Sequence, residues 1–255
     1  MNLRDGTQTS EYYEKSLNRY SEMVDRGLNR VSDESIEADR REGFAAALTR
    51  NSYELALMMY SSGHPIEQCA ARMKTTLTEY LPLESQVMTV KDFTGGIGQS
   101  RVLRYLSALV LSKPEPEQSV AVAEEFLKWG YESWAVYPDK IVNSFYRHLG
   151  ADVEVDDADG VGWPELYSDL WQAIDPSTPD TGRARSLACF VEGWYGHVSE
   201  ELVAETPRLK NNNVVAYVGH WCLEAAGAAV AFDIDDSAIR EHPHYPTEWA
   251  DWARE

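Results

Sequence analysis

Four groups of residues carry the side-chain types that chemistry needs. His220 and Glu224 stand four apart. On a helix they would share a face and could hold a metal ion with help from elsewhere, His197 being one source. More economically, they form a buried imidazole–carboxylate hydrogen bond. The stretch from Asp233 to His244 adds Asp235, Asp236, Glu241 and His242. Two histidines among several carboxylates suit a divalent cation in principle, but the order matches neither HExxH nor an EF-hand loop. Asp235-Asp236-Ser237 reads better as the start of a short helix, Ser237 to Glu241, which Pro243 and Pro246 end while pinning Tyr245 to the core. Thr94-Gly95-Gly96-Ile97-Gly98-Gln99-Ser100 precedes a helix and could cradle a phosphate, yet it lacks the GK[ST] ending and the GxGxxG order. A flexible connection closed by a Ser100 N-cap is the simpler expectation. Cys69, Cys189 and Cys222 form no CxxC pair and sit among apolar residues, so free thiols in a reducing cytoplasm are expected, without a zinc or redox site. No GxSxG elbow is present. These residues support no catalytic residue, no metal and no cofactor.

The elements that must position these groups read as helices. Glu11 to Leu28 places Tyr13, Leu17, Tyr20 and Val24 on one face. Asp33 to Ser61 does the same with Ile36, Phe44, Leu48, Leu55 and Met59. Gly63-His64-Pro65 then turns the chain into a helix that carries Ile66, Ala70, Met73, Leu77 and Tyr80 as far as Pro82. Arg101 to Leu111, Glu117 to Trp129, Asp139 to Leu149 and Trp163 to Ala173 are shorter. Arg183 to Ala204 and Val214 to Phe232 are long core helices, the latter rich in small residues that admit a close neighbour. No strand-period segment of useful length appears. The expectation is an all-α fold of stacked antiparallel helical hairpins, with two helical halves packed together. Lys113-Pro114-Glu115-Pro116 divides residues 1–113 from 114–255. The first residues show no basic segment followed by an apolar run, and no apolar run is long enough to span a bilayer.

Charge gives the clearest functional hint. The 255-residue chain has a net charge of −19. Residues 1–113 hold fifteen acids and fourteen bases, a net of −1, whereas residues 114–255 hold twenty-seven and nine, a net of −18. Between His148 and Gly182, nine acids meet no Lys or Arg: Asp152, Glu154, Asp156, Asp157, Asp159, Glu165, Asp169, Asp175 and Asp180. Such a field repels nucleic acid and anionic membranes and attracts basic partners. It also serves plain solubility.

Residues Tyr217-Val218-Gly219-His220-Trp221-Cys222-Leu223-Glu224-Ala225-Ala226, then Ile234-Asp235-Asp236-Ser237 and His242-Pro243-His244-Tyr245-Pro246, resemble the C-terminal domain of PoNi-type immunity proteins. Members of that family read Y-x-G-Y-W-x-F-E-A-A followed by I-D-D-S and a proline-bracketed aromatic turn. Here His220 and Leu223 replace an aromatic and a Phe. The Tyr12-Tyr13 helix and the Ser61-to-Glu67 corner are similar to the family's N-terminal half. The resemblance implies a cytoplasmic bacterial protein that binds and neutralises a DNase toxin, often one delivered by type VI secretion, without catalysis or cofactor. Its shared residues, Tyr217, Gly219, Trp221, Glu224, Ala225, Ala226, Asp235, Asp236, Ser237, Pro243, Tyr245 and Pro246, read as scaffold. Contacts to a basic nuclease are then expected from Asp152, Glu154, Asp156, Asp157, Asp159, Glu165 and Asp169, with Trp163, Tyr167 and Trp171 as anchors. No direct nucleic-acid or membrane binding is expected, and the chain would be a monomer or weak homodimer. A metal-dependent hydrolase built on His220, Glu224 and the 233–244 run, and an acidic scaffold or DNA mimic without a toxin, are the rivals.

Overall fold

The computed structural model describes residues 3–85, 96–133, 139–153, 160–205 and 217–255. Every regular element among them is helical. None of these helices is long and apolar enough to cross a membrane. By packing, the chain divides into two compact units.

The first unit comprises Met1–Thr89 with Ser112–Pro114 and Ala216–Gly219. Helix α1 (Ser10–Val31) starts where the Thr9 hydroxyl accepts the Tyr12 N–H, and it buries Tyr13, Ser16, Tyr20 and Val24 at three- and four-residue steps. These pack with Leu48, Leu55 and Met58 of α2 (Ala38–Ser61) and with Tyr80. Gly63, at φ 84°, makes the corner after α2, and its backbone N–H bonds the Tyr60 carbonyl. Helix α3 (Ile66–Thr75) follows, then a π-helical turn (Thr76–Tyr80) and α4 (Leu81–Ser85). Pro82 does not end the helix as the sequence suggested. The wider π turn just before it relaxes the ladder where Pro would clash with a preceding carbonyl and offers no N–H. Inside that turn the Thr76 hydroxyl donates to the Arg72 carbonyl at 2.8 Å and lies 2.7 Å from the Ser52 hydroxyl of α2.

The second unit contains Val90–Leu111, Glu115–Val215 and His220–Glu255. Helix α5 (Gly96–Leu111) belongs to it, so the structural division does not follow the charge break at residue 113. The reason is packing: α5 lies against α10 (Leu223–Ala231), whose residues 223–229 are all buried. At this crossing a Cβ on Gly227 would sit 2.6 Å from Ser107 Cβ. The Trp249 indole of α11 (Thr247–Arg254), a helix the sequence reading did not anticipate, donates to the Leu111 carbonyl at 3.0 Å. Helices α6 (Pro116–Ser133), α7 (Lys140–His148), α8 (Pro164–Ile174) and α9 (Asp180–Glu205) complete the unit, with α8 packed on α9 and α7 on α5.

Three expectations fail locally. Gly96 to Ser100 is already helix, and Ser100 is no cap: it is buried, with its hydroxyl 2.7 Å from that of Tyr167. Residues 217–222 are not helical, and α10 begins only at Leu223. Instead, the Val218 carbonyl accepts from the Ser61 hydroxyl at 2.8 Å, and the Tyr217 backbone N–H is bound by the Tyr12 hydroxyl. Gly219, at φ 97°, bends the chain out of helical geometry. Residues 237–241 form turns rather than a helix, the Asp235 carboxylate accepting the Ser237 N–H at 3.0 Å.

Candidate functional site

The acidic segment is organised by Asp139. This carboxylate is only 2% exposed. One oxygen caps α7 by accepting the N–H groups of Ile141 and Val142, each at 2.9 Å. Its other oxygen accepts the Gly162 N–H at 2.5 Å. Beside it the Lys140 N–H donates to the Gly160 carbonyl at 3.0 Å. The returning chain is thereby fixed, and Trp163 enters α8 in the left-handed region at φ 52°, followed by Pro164 at the first helical position.

Helix α8 then separates two faces. Leu166, Tyr167, Leu170, Ala173 and Ile174 are buried. Glu165 is exposed, while Trp163, Asp169 and Trp171 are half-buried, with the Lys140 ammonium 5.7 Å from the Trp171 ring centroid. Asp152 is exposed at the end of the segment that follows α7. Glu154, Asp156, Asp157 and Asp159 lie outside the described residues. Tyr167 needs correction as a contact residue: it is 0% exposed, its hydroxyl pairs with Ser100 and its ring lies 5.9 Å from Phe190. It is a core anchor, because the α8 stripe that periodicity marks as apolar includes it. Trp163 and Trp171 keep accessible surface.

The residues proposed for metal chemistry are split between separate tasks. Glu224, 0% exposed, pairs with Arg104 of α5 at 3.1 Å, away from any helical partnership with His220. Asp236 is buried and receives Arg254 at 2.9 Å, Arg240 at 3.3 Å and the Tyr245 hydroxyl at 2.6 Å. Burial, then the bond to Asp236, pushes the Tyr245 phenol above its usual range. Asp235 is exposed, and bonds from Ser237 hold its carboxyl below the usual range. Ala225, Ala226 and Pro246 are buried; Ser237 and Pro243 are exposed. Burial drives the Cys222 thiol well above its ordinary value, which makes it a poor nucleophile. Cys69 is likewise buried, and Cys189 is exposed; none of the three is in a disulfide.

The three histidines do come together, with a residue that the sequence reading had not singled out. Tyr195 of α9 stacks on His244 with centroids 4.5 Å apart and planes at 18°. His220 lies 5.1 Å from the same ring, and His242 lies 5.5 Å from His244. The His244 Nδ1 is 2.9 Å from the His220 carbonyl, and the Cys222 N–H bonds the His244 carbonyl at 2.8 Å. Tyr195 could have been found only as the polar-side neighbour of Trp194 in a helix whose apolar stripe is Leu187, Val191 and Trp194.

Comparison with known proteins gives two findings. Residues 138–249 match the family model described as PoNe immunity proteins (PoNi), C-terminal. The fold is similar to the crystal structure of protein PA2201 from Pseudomonas aeruginosa, with a TM-score of 0.66 at 17% identity over 99% of this chain and 90% of that one. No curated protein matches the chain in sequence.

Proposed function

We propose, from the membership of residues 138–249 in the C-terminal family of PoNe immunity proteins, that this chain binds and neutralises a nuclease toxin in the cytoplasm of a bacterium that competes with its neighbours, as in type VI secretion. It acts by occupying the toxin, and none of its own side chains does chemistry. The family match carries this reading, because the matched residues contain the run from His148 to Gly182 in which nine acids meet no base.

A DNase needs a positive surface to hold phosphates. Carboxylates offered to that surface compete for the same field. Asp152, Glu165 and Asp169 stand with Glu154, Asp156, Asp157 and Asp159 as the steering charges. Exposed pairs contribute only about 0.2–1 kcal/mol each, so they speed and select the encounter more than they hold it. Retention falls to the half-buried Trp163 and Trp171, whose rings add apolar area beside the acids. The arrangement around Asp139 supports this role, since a carboxylate with three N–H donors ties down the backbone that leads into Trp163.

The test is to co-express the chain with the product of the adjacent gene, recover the complex by affinity purification and assay DNA cleavage. A 1:1 or 2:2 complex without nuclease activity is the expected result. A neighbouring nuclease that neither binds the chain nor loses activity would refute the reading.

A further inference from the structure

Helix α9 carries a second surface that the acidic segment does not include. Leu187, Phe190, Val191 and Trp194 are buried, whereas Cys189, Glu192, Gly193, Tyr195 and Gly196 are exposed. Glu192 and Tyr195 are three residues apart, so they stand together on that outer side. Tyr195 is 39% exposed, which makes it one of two large apolar side chains left open among the described residues. Its ring is nonetheless rigidly backed. His244 covers one side at 4.5 Å, and His244 in turn lies 5.8 Å from the buried Trp194 ring and is tied to the His220 carbonyl.

Beside this ring stands an exposed carboxylate. The Glu192 side chain is 84% exposed and its carboxylate is 3.7 Å from His242 Nε2. Burial, then the neighbouring His244, lowers the His242 pKa, and only Glu192 opposes them. That shift favours the neutral His242 imidazole, which then does little to offset the Glu192 charge.

Elsewhere the chain covers aromatic faces with its own guanidinium groups: Arg4 lies over Tyr60 at 4.8 Å and Arg30 over Phe44 at 4.7 Å. Tyr195 has no such cation among the described residues. An electron-rich ring with an adjacent carboxylate is the complement of a planar cation, which stacks on one and bonds the other. Gly196 adds room: a Cβ there would meet nothing within 4 Å.

We propose that Tyr195, backed by His244 and flanked by Glu192, receives an arginine side chain of the protein that this chain neutralises. The inference rests on the toxin-binding reading for the identity of the partner, and on the geometry of α9 for the chemistry. A net charge of −19 disfavours a nucleic acid or a second copy as the occupant.

Two arms test it. In the first, the full chain is titrated with a tetra-arginine peptide and separately with tetra-lysine, while histidine ring signals are followed by NMR. The arginine peptide should shift the His242 and His244 signals saturably, more strongly than lysine. Tyr195→Phe should preserve the response, while Tyr195→Ala and Glu192→Gln should abolish or weaken it. In the second arm, Tyr195→Ala should raise the Kd for the adjacent-gene nuclease about tenfold, with Tyr195→Phe within about twofold of the parent and the melting points of both unchanged. Equal or absent responses to the two peptides overturn the arginine site, whatever the nuclease does. So does unaltered nuclease affinity in Tyr195→Ala. Failure of the parent chain to bind the nuclease, with the arginine response intact, removes the toxin reading and leaves the arginine site standing.

Discussion

Single residues hold more of this molecule than their types suggest. Asp139 reads in the sequence as one more acid in an acidic half, yet its two oxygens take three backbone N–H groups. Asp139→Ala leaves three donors without it, two of them buried, and should lower stability by about 2–3 kcal/mol. Asp139→Asn keeps one acceptor oxygen and should lose roughly half as much. Urea denaturation midpoints would measure both. Two tyrosines contribute to the alkaline limit. Burial, followed by the Asp5 carboxylate for Tyr13 and by the Asp236 bond for Tyr245, raises both phenols above the ordinary range. The unfolded chain releases these protons near pH 10 while the folded chain keeps them. Their contribution is thus complete below about pH 10 and falls as pH rises further. The expected result is a stability curve that declines from about pH 10 upward, and a flatter decline in the Tyr13→Phe, Tyr245→Phe double variant.

At the scale of elements, α5 and α10 approach closely where Gly227 faces Ser107. A methyl group on Gly227 would meet Ser107 Cβ at 2.6 Å and Ser107 Cα at 2.7 Å. Because the obstacle is backbone, the helices themselves must separate. Gly227→Ala should therefore cost about 2–3 kcal/mol, visible as a lower melting temperature. Ser107→Gly should rescue little of it, since the Cα remains. The same crossing buries the Arg104–Glu224 ion pair, and α10 is apolar around most of its circumference. Glu224 is thus enclosed in the crossing and paired with Arg104 rather than open to a partner.

For the molecule as a whole, the proposed function makes charge the quantity to test, since residues 114–255 carry a net of −18. The association should depend on it in a defined way. Replacing Asp152, Asp156, Asp157 and Asp159 together by Asn should slow association with the nuclease about tenfold at low salt and flatten its salt dependence, with a smaller effect on dissociation. Stopped-flow kinetics at several ionic strengths would check this. Unchanged rates and salt response would remove the acidic segment from the mechanism, while leaving the arginine site on α9 to be judged by its own variants.

Periodicity and composition alone determined that the chain is helical, where most helices run, that Gly63-His64-Pro65 turns a corner, and that negative charge gathers in the second half. They determine these because apolar spacing, glycine, proline and ionic charge act locally. Tertiary structure decided what depends on distant partners. The hydroxyls of Tyr12 and Ser61 bind the backbone at Tyr217 and Val218, so a stretch with helical spacing does not become helix before Leu223. Ser100 became a core partner of Tyr167 instead of a cap, and Tyr167 went into the core instead of the surface. His220 and His244 met at Tyr195, with His242 beside His244, while Glu224 went to Arg104. A side chain's sequence neighbours state which face it lies on, but its hydrogen-bond partner comes from another part of the chain, and only folding brings the two together.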